Sequence, residues 1–136
     1  MSALTNQAQE RAVWAWQAVE KGSELRDKQK AVYGLLAKKL PSWLKVSGLG
    51  QTVAFLFSKK KGKEAYSLLY QQVTSRVGTL IGVKGRPEGM KIITELSPTD
   101  YRRASYELLR TAELLKRFAD GQLDTDGMEL SQEGEG

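Results

Sequence analysis

The chain has 136 residues, with 21 Lys and Arg against 16 Asp and Glu, 40% hydrophobic residues, and neither cysteine nor histidine. That length suits one domain with its own core. The two missing residue types exclude disulfides, thiolate nucleophiles, histidine acid–base catalysis and thiolate or imidazole metal sites.

The formal charge of +5 is unevenly spread. All 21 basic residues lie within residues 1–119 with ten of the acids, a net of +11, and six acids with no basic residue follow from Asp120 onward. No apolar run approaches the roughly 20 residues that span a bilayer. The start, MSALTNQAQE, carries no basic-then-apolar leader. A soluble, cytoplasmic protein without a membrane contact is expected.

The apolar period is helical almost throughout. Ala8, Ala12, Ala15 and Val19 step by three and four residues and predict a first helix over about 5–21, widened by Trp14 and Trp16. Gly22 suits a left-handed helix end, and Ser23 suits the cap of a second helix running to Leu40 along Leu25, Val32, Leu36 and Leu40. Pro41 starts a short helix to Val46 that ends at Gly48.

Residues 49–58 hold the apolar run Val53–Phe57, which a buried strand would also explain; with no second strand to pair with, a central helix is expected. Lys59, Lys60, Lys61 and Lys63 flank Gly62 in a turn, and Ala65, Leu69, Val73, Val77 and Leu80 then mark an amphipathic helix to about Ile81. GVKGRPEG at 82–89 reads as a loop and Met90–Leu96 as a short helix.

Ser97-Pro98-Thr99-Asp100 is a helix-start signal, with Ser97 as cap. The last helix buries Tyr101, Ala104, Leu108, Ala112, Leu115 and Ala119 and stops at Gly121. Trp16, Phe55, Tyr101 and Phe118 are assigned to the core, and Tyr106 and Trp43 are left open, since either could meet a protein partner. The prediction is an all-α, compact single-domain bundle of about six helices over residues 1–121, followed by a disordered acidic tail over 122–136.

Chemical motifs are sparse. Gly62-Lys63 is the one Gly-Lys pair, and the upstream glycine a phosphate-binding loop requires falls on Phe57; no Gly-x-Gly-x-x-Gly is present. Asp124, Asp126 and Glu129 do not have calcium-loop spacing, and read as a solubilising tail. Ser58 with Lys59, or Ser42 with Lys45, offer serine–lysine nucleophilic chemistry in form and have no supporting pattern. No enzymatic activity, cofactor or metal is expected.

The basic residues form rows instead. Arg103, Arg110 and Arg117 recur every seven residues, opposite the Leu108 and Ala112 stripe. Lys30, Lys38, Lys39 and Lys45 form a second set, and the 59–63 lysines a third. Rows of this kind fit regularly spaced phosphates. They equally fit a solvated helix face.

Two segments, YGLLAKKLPSWLKVSGLGQTVAFLFSKK at 33–60 and YELLRTAELLKRFADG at 106–121, resemble the small all-helical subunit of type III-B CRISPR effector complexes, the Cmr complexes built on RAMP-type backbone proteins. With the Trp-rich first helix, the likeness covers most of 5–121. It implies a non-catalytic structural subunit in antiviral defence. Copies of it stack in a minor filament beside the RAMP-type backbone subunits and hold guide and target RNA backbone without reading sequence.

On that likeness Lys38, Lys39, Lys45, Lys59 and Lys60 fall in or beside the first motif, and Arg110, Lys116 and Arg117 in the second; Arg103 joins them through its row. The alternative is a helical scaffold whose basic faces bind acidic protein partners without nucleic acid. No short helix-turn-helix segment supports a DNA-binding regulator.

Overall fold

Five helices account for nearly all of the residues that the computed structural model describes, 3–82 and 89–123. They are α1 (Ala3–Ser23), α2 (Asp27–Lys59), α3 (Glu64–Leu80), α4 (Gly89–Thr94) and α5 (Pro98–Gln122), with no strand among the described residues. The all-α expectation holds. Residues 124–136 of the expected tail and 83–88 of the expected loop lie outside the described residues.

The segments expected as separate helices over 23–40, 41–46 and 49–58 lie in one element, α2, which runs through Pro41 and carries its break inside it. A proline in a helix interior removes one backbone hydrogen bond and crowds the preceding turn. Here its ring is buried, and Ala37, Leu40 and Leu44 on the neighbouring turns are packed into the core, so burial on both sides outweighs the local penalty. The break comes at Gly48, with φ 86° and ψ 169°, a region open essentially to glycine alone.

The second helix also starts later than expected, at Asp27 after Arg26, and Ser23 does not cap it: its hydroxyl donates back to the Glu20 carbonyl at 2.6 Å. Gly22 is helical and buried within α1 and does not end it. Its role is steric, because a Cβ there would sit 2.2 Å from the Tyr33 ring.

Specific polar contacts give the helix directions. Arg11 meets Glu107 and Trp16 meets Phe118, so α1 and α5 run parallel. Lys38 meets Asp120, and the Gly50 N–H donates to the Tyr101 hydroxyl at 2.9 Å, so α2 and α5 run antiparallel. The Ala18 carbonyl accepts from Gln72 and Glu10 meets Arg76, so α1 and α3 run antiparallel.

The core between them is aliphatic, with Val19, Val32, Leu36, Leu40, Val53, Leu56, Leu69, Val73, Leu108 and Leu115 almost fully enclosed. The α3 and α5 stripes are therefore as predicted, and Ser97 caps α5 by accepting from the Asp100 N–H at 3.1 Å.

Two aromatics assigned to the core are not in it. Trp16 is 44% exposed and Phe55 37% exposed. Trp16 lies across the rim against Phe118, and Phe55 stands between Trp43 and Tyr66 with one side open. The segment after Gly48 is thus apolar all round without being enclosed all round.

Candidate nucleic-acid interface

Each of the nine basic residues singled out above lies at the surface, and the helices sort them into three places. On α2, Lys39 and Lys45 are exposed and Lys38 is half-buried. Lys38 and Lys45 are seven residues apart, two turns and about 10 Å along one face. Lys38 Nζ lies 3.3 Å from Asp120 Oδ1, which brings the end of α5 beside this row. Lys116, exposed, is one turn before Asp120. Because α2 and α5 are antiparallel, that turn back along α5 moves from Lys38 towards Lys45, so Lys116 joins the α2 lysines on one surface.

The second place is the outer face of α5, where Arg103, Arg110 and Arg117 are all exposed as their spacing predicts. Arg110 donates to the Tyr106 hydroxyl at 3.0 Å and lies over that ring at 5.5 Å, held flat beside a tyrosine that is 59% exposed. Arg103 reaches across to donate to the Leu80 carbonyl at the end of α3. It thereby places positive charge where the helix dipole favours it.

The third place is the turn between α2 and α3, at the opposite end of α3 from Arg103. Lys60 sits over the Phe57 and Tyr70 rings at 5.2 and 5.9 Å, and Lys63 over Tyr66 at 5.7 Å. Lys59 and Lys60 are half-buried there. The start of α3 gets its cap from another helix: Gln29 Oε1 accepts from the Ala65 N–H at 2.9 Å. The Lys59 and Lys60 corner is thus separated by the length of a helix from the arginine row that begins at Arg103.

Sequence reasoning missed two ion pairs that hold the basic faces in register. Adjacent residues of α1 reach different helices: Arg11 clasps Glu107 of α5 through Nε and Nη2 at 2.7 and 2.8 Å, and Glu10 takes both terminal nitrogens of Arg76 from α3, one at 2.7 Å. Arg76 is enclosed, with 1% of its side chain exposed, its guanidinium 5.7 Å from the Trp14 ring and its Nε without a hydrogen-bond partner. Hydrogen bonds from Arg76 and Arg11 hold the Glu10 and Glu107 carboxyls below the usual carboxylate range, and the Glu107 bond raises Arg11. The signal was present, since Arg76 follows Val73 by three on the apolar face of α3.

The kink leaves a small pocket of about 240 Å³ lined by Trp43, Ser47, Gln51, Thr52 and Phe55. The Thr52 hydroxyl is buried there without a partner. The residue four before it is Gly48, whose departure from helical geometry withdraws the carbonyl that a helical threonine ordinarily uses. Among the described residues no three carboxylates gather to hold a metal ion, and no helix is long and apolar enough to cross a membrane.

Comparison with known proteins places this arrangement. Residues 7–122, which span all five helices, match the family model described as CRISPR-associated protein (Cas_Cmr5). The chain is 32% identical over 113 residues to the CRISPR system Cmr subunit Cmr5 of Thermus thermophilus, covering 82% of this chain and 94% of that one. The likeness drawn from the 33–60 and 106–121 segments is borne out: the chain belongs to the Cmr5 family of CRISPR-associated proteins.

Proposed function

We propose that this chain is a non-catalytic structural subunit of a type III-B CRISPR effector complex, stacking with copies of itself beside the RAMP-type backbone subunits and holding guide and target RNA by the phosphate backbone. Family membership carries the assembly. The outward placement of two basic rows supports the RNA contact: Lys38, Lys45 and Lys116 on one surface, with Lys39 exposed about a quarter turn round α2, and Arg103, Arg110 and Arg117 on the outer face of α5. Lys59 and Lys60 form a separate corner at the start of α3, where Gln29 of α2 caps Ala65.

Such contacts use charge without base-edge recognition, so they accept any sequence. A backbone-holding subunit needs no acid–base residue of its own, which is consistent with a chain that has no histidine or cysteine.

The exposed apolar side chains Val46 at 83%, Phe57 at 48% and Trp16 at 44% favour protein contacts elsewhere on the surface. They are compatible with a subunit that also stacks. They are the specific observation behind the second reading, a scaffold that binds acidic proteins and no nucleic acid.

Binding of labelled single-stranded RNA by the protein at increasing salt separates the two. Affinity that falls steeply with salt and is equal for unrelated sequences is expected. Binding that ignores salt, or that selects one sequence, contradicts the RNA reading, and no binding in the assembled complex leaves the scaffold.

A further inference from the structure

Five acids, Asp124, Asp126, Glu129, Glu133 and Glu135, follow the last helix with no basic residue among or after them. The family match ends at residue 122, just before these acids. Its root is fixed: Leu123 is buried, in extended conformation, and its N–H donates to the Ala119 carbonyl at 2.9 Å. Three residues earlier, Asp120 already sits on the α2 lysine row, 3.3 Å from Lys38. Residue 123 therefore stands at the edge of the surface formed by Lys38, Lys45 and Lys116, with Lys39 on the adjoining face of α2.

We infer that residues 124–136 dock on that α2–α5 lysine surface and compete there with RNA. Charge complementarity supplies the attraction. The length is ample, because thirteen residues reach up to about 45 Å when extended, whereas Lys38 to Lys45 spans about 10 Å of helix.

Thirteen residues have an average span of about 20 Å in a random-coil linker. A span of that size holds the acids near the lysines at an effective concentration in the millimolar range. Lys38 is the basic residue that Asp120 already places beside the root, and effective concentration falls steeply with distance from it. Individually weak exposed pairs then add up to a local counterion that incoming phosphate must displace. A bare backbone phosphate cannot dislodge it at one point, but a strand that engages the whole row can. The segment thus raises the threshold for stray RNA and yields to a strand held in place by the rest of an assembly.

The competition rests on the RNA reading above; the docking does not. Zero-length carbodiimide crosslinking of the full chain at low salt, followed by peptide mass spectrometry, tests the docking. Crosslinks from the five tail acids to Lys38, Lys39, Lys45 or Lys116 that fade at high salt are expected. Absence of such crosslinks, or their concentration on Lys59–Lys63, overturns the docking.

A full-length variant carrying Asp124→Asn, Asp126→Asn, Glu129→Gln, Glu133→Gln and Glu135→Gln tests the competition, with a labelled 20-nucleotide uridine RNA as probe. The variant binds about three- to tenfold more tightly than the parent chain at low salt, and the gap closes as salt rises. Equal binding by parent and variant overturns the competition. Crosslinks in place while neither chain binds RNA refute the RNA reading and leave the docking standing.

Discussion

Removing the charge of Glu10 should cost more than removing the buried charge it serves. Arg76 is enclosed, and its Nε has no partner, so the Glu10 carboxylate is what compensates the guanidinium. Breaking a buried pair from one side costs about 3–5 kcal/mol because a charge is left unpaired. The Glu10 side chain is 53% exposed, so water reaches that rim and the cost of Glu10→Gln falls to about 2–3 kcal/mol.

Arg76→Met runs the other way. It leaves Glu10 free to hydrate and puts a flexible apolar chain against Trp14, for a loss of about 1 kcal/mol. The double variant should match Arg76→Met. Thermal unfolding followed by circular dichroism reads the difference: at about 3–5 °C per kcal/mol for a chain of this length, Glu10→Gln lowers Tm by about 6–15 °C and Arg76→Met by about 3–5 °C. A larger loss for Arg76→Met than for Glu10→Gln, or a Glu10→Gln variant within 2 °C of the parent, refutes the electrostatic account of this contact.

Other expected outcomes follow from single contacts. Gly48→Ala forces a side chain into φ 86°, ψ 169° and costs about 1–3 kcal/mol, whereas Gly121→Ala, with open space at its Cβ, changes Tm little. Gly22→Ala pushes a methyl into the Tyr33 ring, whose hydroxyl is tied to Gln72 at 2.6 Å; the loss of about 1–3 kcal/mol is read by the same melts.

The Glu10 and Glu107 carboxyls are held below their unfolded values, so their contribution is present above pH about 4.5 and is lost as pH falls through the folded values. Tm is flat from pH 7 to about 5 and then drops, and the drop is shallower in Glu10→Gln. Arg110→Glu with Arg117→Glu, or Lys39→Glu with Lys45→Glu, lowers RNA capture by the assembled complex without lowering Tm, since none of the four makes a contact that holds the helices together.

What the sequence made legible was whatever depends on period and on local start signals. The α3 stripe, the α5 stripe, the Ser97 cap and the outward arginine row at 103, 110 and 117 needed only helical spacing and one capping motif. Misreadings came where one residue type has two uses. Gly22 reads as a helix end, but the space it frees is for Tyr33, whereas the end expected at Gly48 is where the chain does leave helical geometry. Pro41 reads as a break, and long-range burial overrode it.

Phe55 failed for another reason, since a segment apolar on every side carries no record of which side a neighbour covers, and Trp16 lies at the rim of its stripe, where spacing alone does not say whether a neighbour covers it. The convergence of Lys38 with Asp120 and Lys116 was not legible either, because it depends on the antiparallel register of α2 and α5. Rows were visible as rows, and the surface they share required the packing.

The most direct test of the RNA-holding role is ultraviolet crosslinking of the assembled effector complex, loaded with guide and target RNA, with the contact peptides of this chain identified by mass spectrometry. Crosslinks in α2 around Lys38–Lys45 and in α5 around Arg103–Arg117 are the predicted result. Crosslinks confined to α1, or a fully assembled complex in which this chain crosslinks to protein alone, would contradict it.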